Sequence, residues 1–216
     1  MNENNLSSRQ QALIPIAAFT ADGDLERLKP ALVEGLESGL TINEIKEAMV
    51  QLYAYVGFPR SLNALGTFMQ VVEERKAAGK KDEVGKEASP RPADYDADAY
   101  GAQTRAQLFG LKEDISGAPW QVFSPTIDAF LKEHLFGDIF VRDVLNHEDR
   151  ELVTIAALAN LSGAAGQLFG HYGAAMNTGF SAGQLEDFVA VLNDKVSPEV
   201  GKGAQEVLKE VLKAKK

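Results

Sequence analysis

Residues 28–47 read Leu28-Lys-Pro-Ala31-Leu-Val-Glu-Gly-Leu-Glu-Ser-Gly39-Leu-Thr41-Ile-Asn-Glu44-Ile-Lys-Glu47, and residues 167–188 read Gln167-Leu-Phe-Gly-His171-Tyr-Gly-Ala-Ala-Met-Asn-Thr-Gly179-Phe-Ser181-Ala-Gly-Gln184-Leu-Glu-Asp-Phe188. The two stretches share one frame at an offset of 140 positions. Ile42, Ile45, Met49, Leu52 and Val56 recur as Ala182, Leu185, Val189, Leu192 and Val196. Apolar residues at steps of three and four lie on one face of a helix, so both copies predict the same buried stripe. Thr41-x-x-Glu44 and Ser181-x-x-Gln184 are capping boxes, in which hydroxyl and carboxyl or amide satisfy the free amides of a helix start. Gly39 and Gly179 fall where the preceding helix must stop. A third helix follows in each copy, with Pro59 and Pro198 in its first turn and Ser197 as the second cap. The copies differ where it matters chemically. Ala31 in the first is His171 in the second, which predicts one structural half and one chemical half.

Outward from this repeat, residues 9–75 read as helices, with Leu13, Ile16 and Ala17 on one stripe and Leu25, Leu28, Leu32 and Leu36 on another. The stretch from Lys76 to Asp96 is charged and proline-containing, without apolar period: a linker or surface crossing. A helix is expected over Ala99–Phe109. Another opens at Ser124-Pro125, carries Ile127, Phe130, Leu131 and Leu135, and is expected to stop at Gly137. No segment shows strand alternation, so the fold class is all-α. The chain divides into a first unit at 1–79, a linker at 80–98 and a second unit at 99–216.

The chain has 216 residues, 45% of them hydrophobic, which is enough to build a core. Its net charge is -9, the wrong sign for a nucleic-acid partner. The lysines at 76–86 and Lys213–Lys216 read as solvated, mobile segments. No run approaches a membrane span, and the start, Met1 to Arg9, lacks an apolar signal core. A cytoplasmic protein is the expectation. There is no cysteine, so no disulfide and no thiol redox cycle is possible.

Three histidines are available, His134, His147 and His171. None is paired at metal-binding spacing, and no nucleotide or phosphate fingerprint occurs, so neither metal nor cofactor is expected. His134 reads as a packed helix histidine and His147 as a surface or capping residue. Glu44 and Gln184 are accounted for by their capping boxes. Tyr53, Tyr55 and Phe58 read as core or interface aromatics. Gly163, Gly166, Gly170 and Gly173 read as a helix face stripped of side chains, either for close packing or to leave a pocket beside His171. A histidine in such a pocket can give or take a proton near neutrality.

Two further motifs point to a family. Leu145…Arg150-Glu-Leu-Val-Thr-Ile-Ala-Ala-Leu158, followed by Gln167-Leu-x-x-His171-x-x-x-Ala175-x-x-x-Gly179-x-Ser181-x-x-Gln184-Leu, resembles the carboxymuconolactone decarboxylase family. Phe136-Gly-Asp-Ile-Phe140-Val-Arg142-Asp-Val-Leu145 is similar to that family's approach to its core helices. Gly39-x-Thr41-x-x-Glu44-Ile-x-Glu47, then Tyr55-x-Gly57-x-Pro59-x-x-x-Asn63-Ala64, resembles its other hallmark. The resemblance implies an alkylhydroperoxidase D-like helical fold and assembly into a ring, which for a tandem chain means a homo-oligomer, a trimer imitating six units. It implies cofactor-free loss of carbon dioxide from a small carboxylated lactone. His171 and Gln167 become the candidate catalytic residues. Arg150, Arg142, Phe169, Tyr172 and Trp120 become candidates to hold the substrate. The family's peroxidase cysteines would fall at Ala164 and Gln167, so thiol peroxidase chemistry is not expected. Decarboxylase-like members often carry Glu where this chain has Gln167. The Tyr-x-Gly-x-Pro motif sits in the first copy and the histidine in the second, so either a composite site survives or only the fold does.

Overall fold

A computed structural model describes residues 5–215, so residues 1–4 and Lys216 lie outside it, and with them part of the amino-terminal stretch and of the terminal lysine cluster named above. The described residues are helical, without strands. α1 spans Ser8–Asp22, α2 Leu25–Glu37 and α3 Ile42–Ala77. α4 spans Ala97–Leu108, α5 Pro119–Phe123 and α6 Pro125–Ala129, which continues as a π-helical stretch, Phe130–Ile139. α7 spans His147–Ala159, α8 Ala165–Thr178, α9 Ala182–Val191 with a π-helical continuation Leu192–Val196, and α10 Pro198–Ala214.

The offset of 140 runs through this whole order. α2 begins at Leu25 and α8 at Ala165; α3 begins at Ile42 and α9 at Ala182. Both capping boxes form, with Thr41 and Ser181 accepting from the backbone of Glu44 and Gln184. α3 is broken at Gly57 (φ 78°, ψ 163°), a conformation that favours glycine, and its counterpart Ser197 is the extended residue before α10. Gly39 and Gly179 both have positive φ at their helix ends.

The copies do not fold side by side as separate globules. α1 packs on α7 as closely as on its own neighbours α2 and α3. Leu13, Ile16, Leu28, Leu32, Ile45 and Leu52 join Ile155, Leu158, Leu185, Phe188 and Leu192 in one buried core. Each such side chain stabilises the fold by roughly 1.5–3 kcal/mol when fully buried. The contacts across the copies place equivalent positions face to face: Arg9 pairs with its own counterpart, Asp149, at 2.7 Å.

A second, smaller cluster of Leu108, Leu135, Phe136, Ile139, Phe140 and Ala174 lies beneath α4. Gly137 does not stop its helix as expected. A Cβ there would lie 2.6 Å from the Ala97 carbonyl oxygen, so the glycine serves the close approach of α4. The helix after Ser124-Pro125 therefore runs on to Ile139.

The lysine-bearing segment after α3 is docked rather than free. Ile42 and Asn43 donate backbone bonds to Glu83 and Val84, Arg75 grips Asp82, and Ser89 donates to the Asp143 carboxylate. Charge alone had suggested a mobile tail, but backbone pairing to the start of α3 fixes it. No helix of the described residues is long and apolar enough to cross a membrane.

Candidate functional site

α3 carries Glu47, Gln51 and Tyr55 at steps of four, so all three project from one face. That face meets α7, where Arg150 and Glu151 close the polar first turns and Thr154 interrupts the apolar run that follows. All three are fully buried. Burial of charges requires partners, and the two helices supply them to each other. Glu47 accepts from Arg142 at 2.9 Å and from Arg150 at 2.7 Å. Arg150 also donates to Gln51 Oε1, and the Gln51 amide donates to Thr154 Oγ1. The Thr154 hydroxyl donates to Tyr55 at 3.3 Å. Burial lowers the Arg150 pKa, and Glu47 opposes that shift.

α8 brings His171 to the end of this chain of contacts. Its Nδ1 lies 2.8 Å from Glu151 Oε2, and the other carboxylate oxygen, Oε1, has no hydrogen-bond partner among the described residues. Tyr55 and Phe109 present ring edges or faces to the imidazole at centroid distances of 6.1 and 5.7 Å. Burial and the nearby Glu151 charge push the Tyr55 phenol well above its ordinary pKa, so it stays protonated. The result is a buried acid–imidazole pair beside a neutral phenol, which Thr154 and Gln51 link to the Arg150 guanidinium. Such a pair fixes the ring's orientation and leaves Nε2 to exchange a proton.

The first copy shows what this arrangement replaces. Ala31 occupies the frame of His171 and Lys195 that of Tyr55, and they line a cavity of about 320 Å³ with Phe19, Arg27, Pro30 and Glu34. Lys195 and Arg27 are held there by Glu34 and Asp24. The duplicated scaffold thus has a concavity at Ala31 and, at the equivalent place, a buried histidine.

The sequence candidates divide. His171, Arg150 and Arg142 are brought into the network, although both arginines are engaged by Glu47. Tyr172 is not in it: it points into the core, its hydroxyl on the Ala204 carbonyl and its ring edge-on to Phe188. One residue along a helix turns a side chain by about 100°, which separates it from His171. Gln167 is exposed on the first turn of α8, Phe169 lies at the surface, and Trp120 is exposed on α5. His134, expected to be packed, is exposed and bonded to Asp138; His147, expected at the surface, is half-buried against Phe140. Gly163 has φ +80° and precedes α8, so only Gly166, Gly170 and Gly173 belong to the bare helix face. Tyr55, read as packing, is part of the site.

Glu47, Gln51, Glu151, Thr154 and Phe109 were missed as site residues. The signal for most of them was present. Polar side chains at steps of four on α3, and Thr154 inside the apolar run that follows Arg150-Glu151, mark buried polar positions that must find each other.

The carboxymuconolactone decarboxylase family model matches residues 1–68 and 125–194. These regions contain Tyr55 and His171 respectively, and leave α4 and α5 outside the match. No curated protein matches the chain.

Proposed function

Since the chain belongs to the carboxymuconolactone decarboxylase family as a tandem two-copy member, we propose that it catalyses cofactor-free decarboxylation, or closely related proton transfer, on a small carboxylated, lactone-like substrate. The observation that carries this reading is the buried His171–Glu151 pair at 2.8 Å, next to Tyr55 of the other copy. In the reaction the bond between the substrate carbon and its carboxylate breaks. The electron pair passes through the ring double bond onto the lactone carbonyl as a dienolate, and carbon dioxide leaves. The His171 imidazolium gives its Nε2 proton to the ring carbon beside the lactone carbonyl, which carries the displaced pair, and recovers one from solvent. Glu151 holds Nδ1–H and so selects the tautomer and stabilises the imidazolium. Glu151 supplies the acidic partner that Gln167 cannot. The Tyr55 phenol is a neutral donor. Two guanidinia converge on the Glu47 carboxylate, and they are the cations this network offers a carboxylate substrate.

A second reading is a substrate-divergent or non-enzymatic member that keeps the fold. It is favoured by the closure of His171, which retains 8% of its surface, and by the commitment of both arginines to Glu47. Carbon dioxide release from carboxymuconolactone separates the readings. Turnover by the natural chain that is lost in His171→Ala is expected; no release from the natural chain supports the second reading.

The chain also exposes Trp120, Val122, Phe123 and Phe130 around α5 and α6. An apolar patch of this kind supports a homo-oligomer, a trimer of tandem chains in our reading. A cytoplasmic location is part of the same proposal.

A further inference from the structure

Phe109 comes from the segment between the two family-matched regions, yet it closes the histidine that those regions provide. It follows α4 directly and is half-buried, one side on the molecule and one on an open cleft. Its ring meets His171 at 5.7 Å and 66°, and Phe136 edge-on at 6.3 Å. Its Cε1 would lie 3.6 Å from a Cβ on Gly170. Beyond the ring is a cleft of about 320 Å³, bounded by Phe109, Phe169, Gly170, Gly173 and Asn177. That volume is at the small end for ligand sites. One aromatic ring therefore stands between this cleft and the reacting imidazole.

The mounting of that ring is firm. Asn177 on α8 donates to the Leu108 carbonyl at 2.9 Å. A Cβ on Gly101 would lie 2.0 Å from the Lys132 carbonyl oxygen, so α4 is pressed on the helix that follows α6. Arg105, buried, binds Asp114 through two nitrogens and Asp128 through a third, tying the segment after α4 back onto it. The Phe109 side chain itself faces the bare glycine surface of α8 and borders the open cleft.

We infer that Phe109 is a specificity-determining wall of the His171 site, admitting compact, apolar-bodied ligands from the glycine-floored cleft when its side chain swings aside. The inference rests on the reading of His171 as the reacting group, but its test needs no turnover. Diethyl pyrocarbonate acylates an accessible imidazole nitrogen, and peptide mass spectrometry reads the rate at each histidine. His134 is exposed and His147 half-buried, so both serve as internal references. In the natural chain His171 should react far more slowly than His134. Phe109→Ala should accelerate His171 by about tenfold, equivalent to a closing preference of about 1.4 kcal/mol, in keeping with one aromatic contact. His134 and His147 should keep their rates. Phe109→Leu, which retains apolar bulk, should give a smaller acceleration and serves in its place if the alanine variant does not fold. An unchanged His171 rate in a folded variant overturns the inference, as does parallel acceleration of His147, which would mean general loosening. Unmasking of His171 in a chain that decarboxylates nothing would uphold the wall and remove the functional reading alone.

Discussion

His171 Nδ1 lies 2.8 Å from Glu151 Oε2, and the residues at the same two places in the first copy are Ala31 and Gln11. The acid–imidazole pair is thus replaced as a unit, by an alanine and a neutral amide. Gln11 has found other partners, donating to Asp187 and to the Leu6 carbonyl.

This bears on the stability of His171→Ala. From the sequence alone, alanine at position 31 suggests that the scaffold tolerates alanine at 171 with an unchanged melting temperature. The structure changes that expectation, because the substitution would strand a fully buried carboxylate. A loss of roughly 1–3 kcal/mol is expected. His171→Ala combined with Glu151→Gln restores the chemistry of the first copy and should recover part of that loss. Urea unfolding of the two single variants and the double variant forms the cycle. Strict additivity would show that the pair is not coupled.

Glu47 is the hinge of the charged network, since two guanidinia converge on it. Arg150 is wholly buried and would lose its counter-charge in Glu47→Ala. A destabilisation of roughly 3–5 kcal/mol is expected, the usual consequence of leaving a buried charge unpaired. Equilibrium unfolding measures it, and a change within about 0.5 kcal/mol, as at ordinary surface sites, would contradict the burial described here.

His147 gives the acid side of the stability profile. Burial lowers its pKa in the folded chain below the ordinary value of about 6.5. Below that pH the unfolded chain takes up a proton that the folded chain refuses, so stability falls as pH drops from about 6.5 toward the folded pKa. His147→Gln should flatten this part of the profile. Melting temperatures between about pH 7 and 5 test it, and an equally steep fall in the variant would assign the effect elsewhere.

Phe123 is 92% exposed, with Val122 and Trp120 beside it on the short helix α5. Such a patch is expected to be covered by another copy. Light scattering should give a particle larger than the 23.3 kDa chain, and Phe123→Asp should shift it toward that mass. A monomer of the natural chain at micromolar concentration would refute the assembly.

The repeat was legible because capping boxes and apolar steps are local signals. Thr41, Glu44, Ser181 and Gln184 act as the sequence indicates. The docking of α1 against α7 was not legible, since it depends on a core shared across residues far apart in the chain. The site was half legible for the same reason. His171 stands out in its own frame, whereas Glu151 acquires meaning only when α8 is laid beside α7. Tyr172 misled because adjacency in sequence on a helix means separation in space. Phe109 carried no local signal at all, as its role depends on where α4 ends above α8.

The central claim is that His171, held by Glu151, delivers a proton to the ring carbon that takes up the electron pair released with carbon dioxide. It is tested most directly by incubating carboxymuconolactone with the protein in deuterium oxide and locating the label in the product by NMR. The expected result is one deuterium at the ring carbon beside the lactone carbonyl, formed at a rate that falls by about 10²–10⁴-fold in His171→Ala, the range for loss of a general acid. Label appearing at the same rate in that variant would contradict the account.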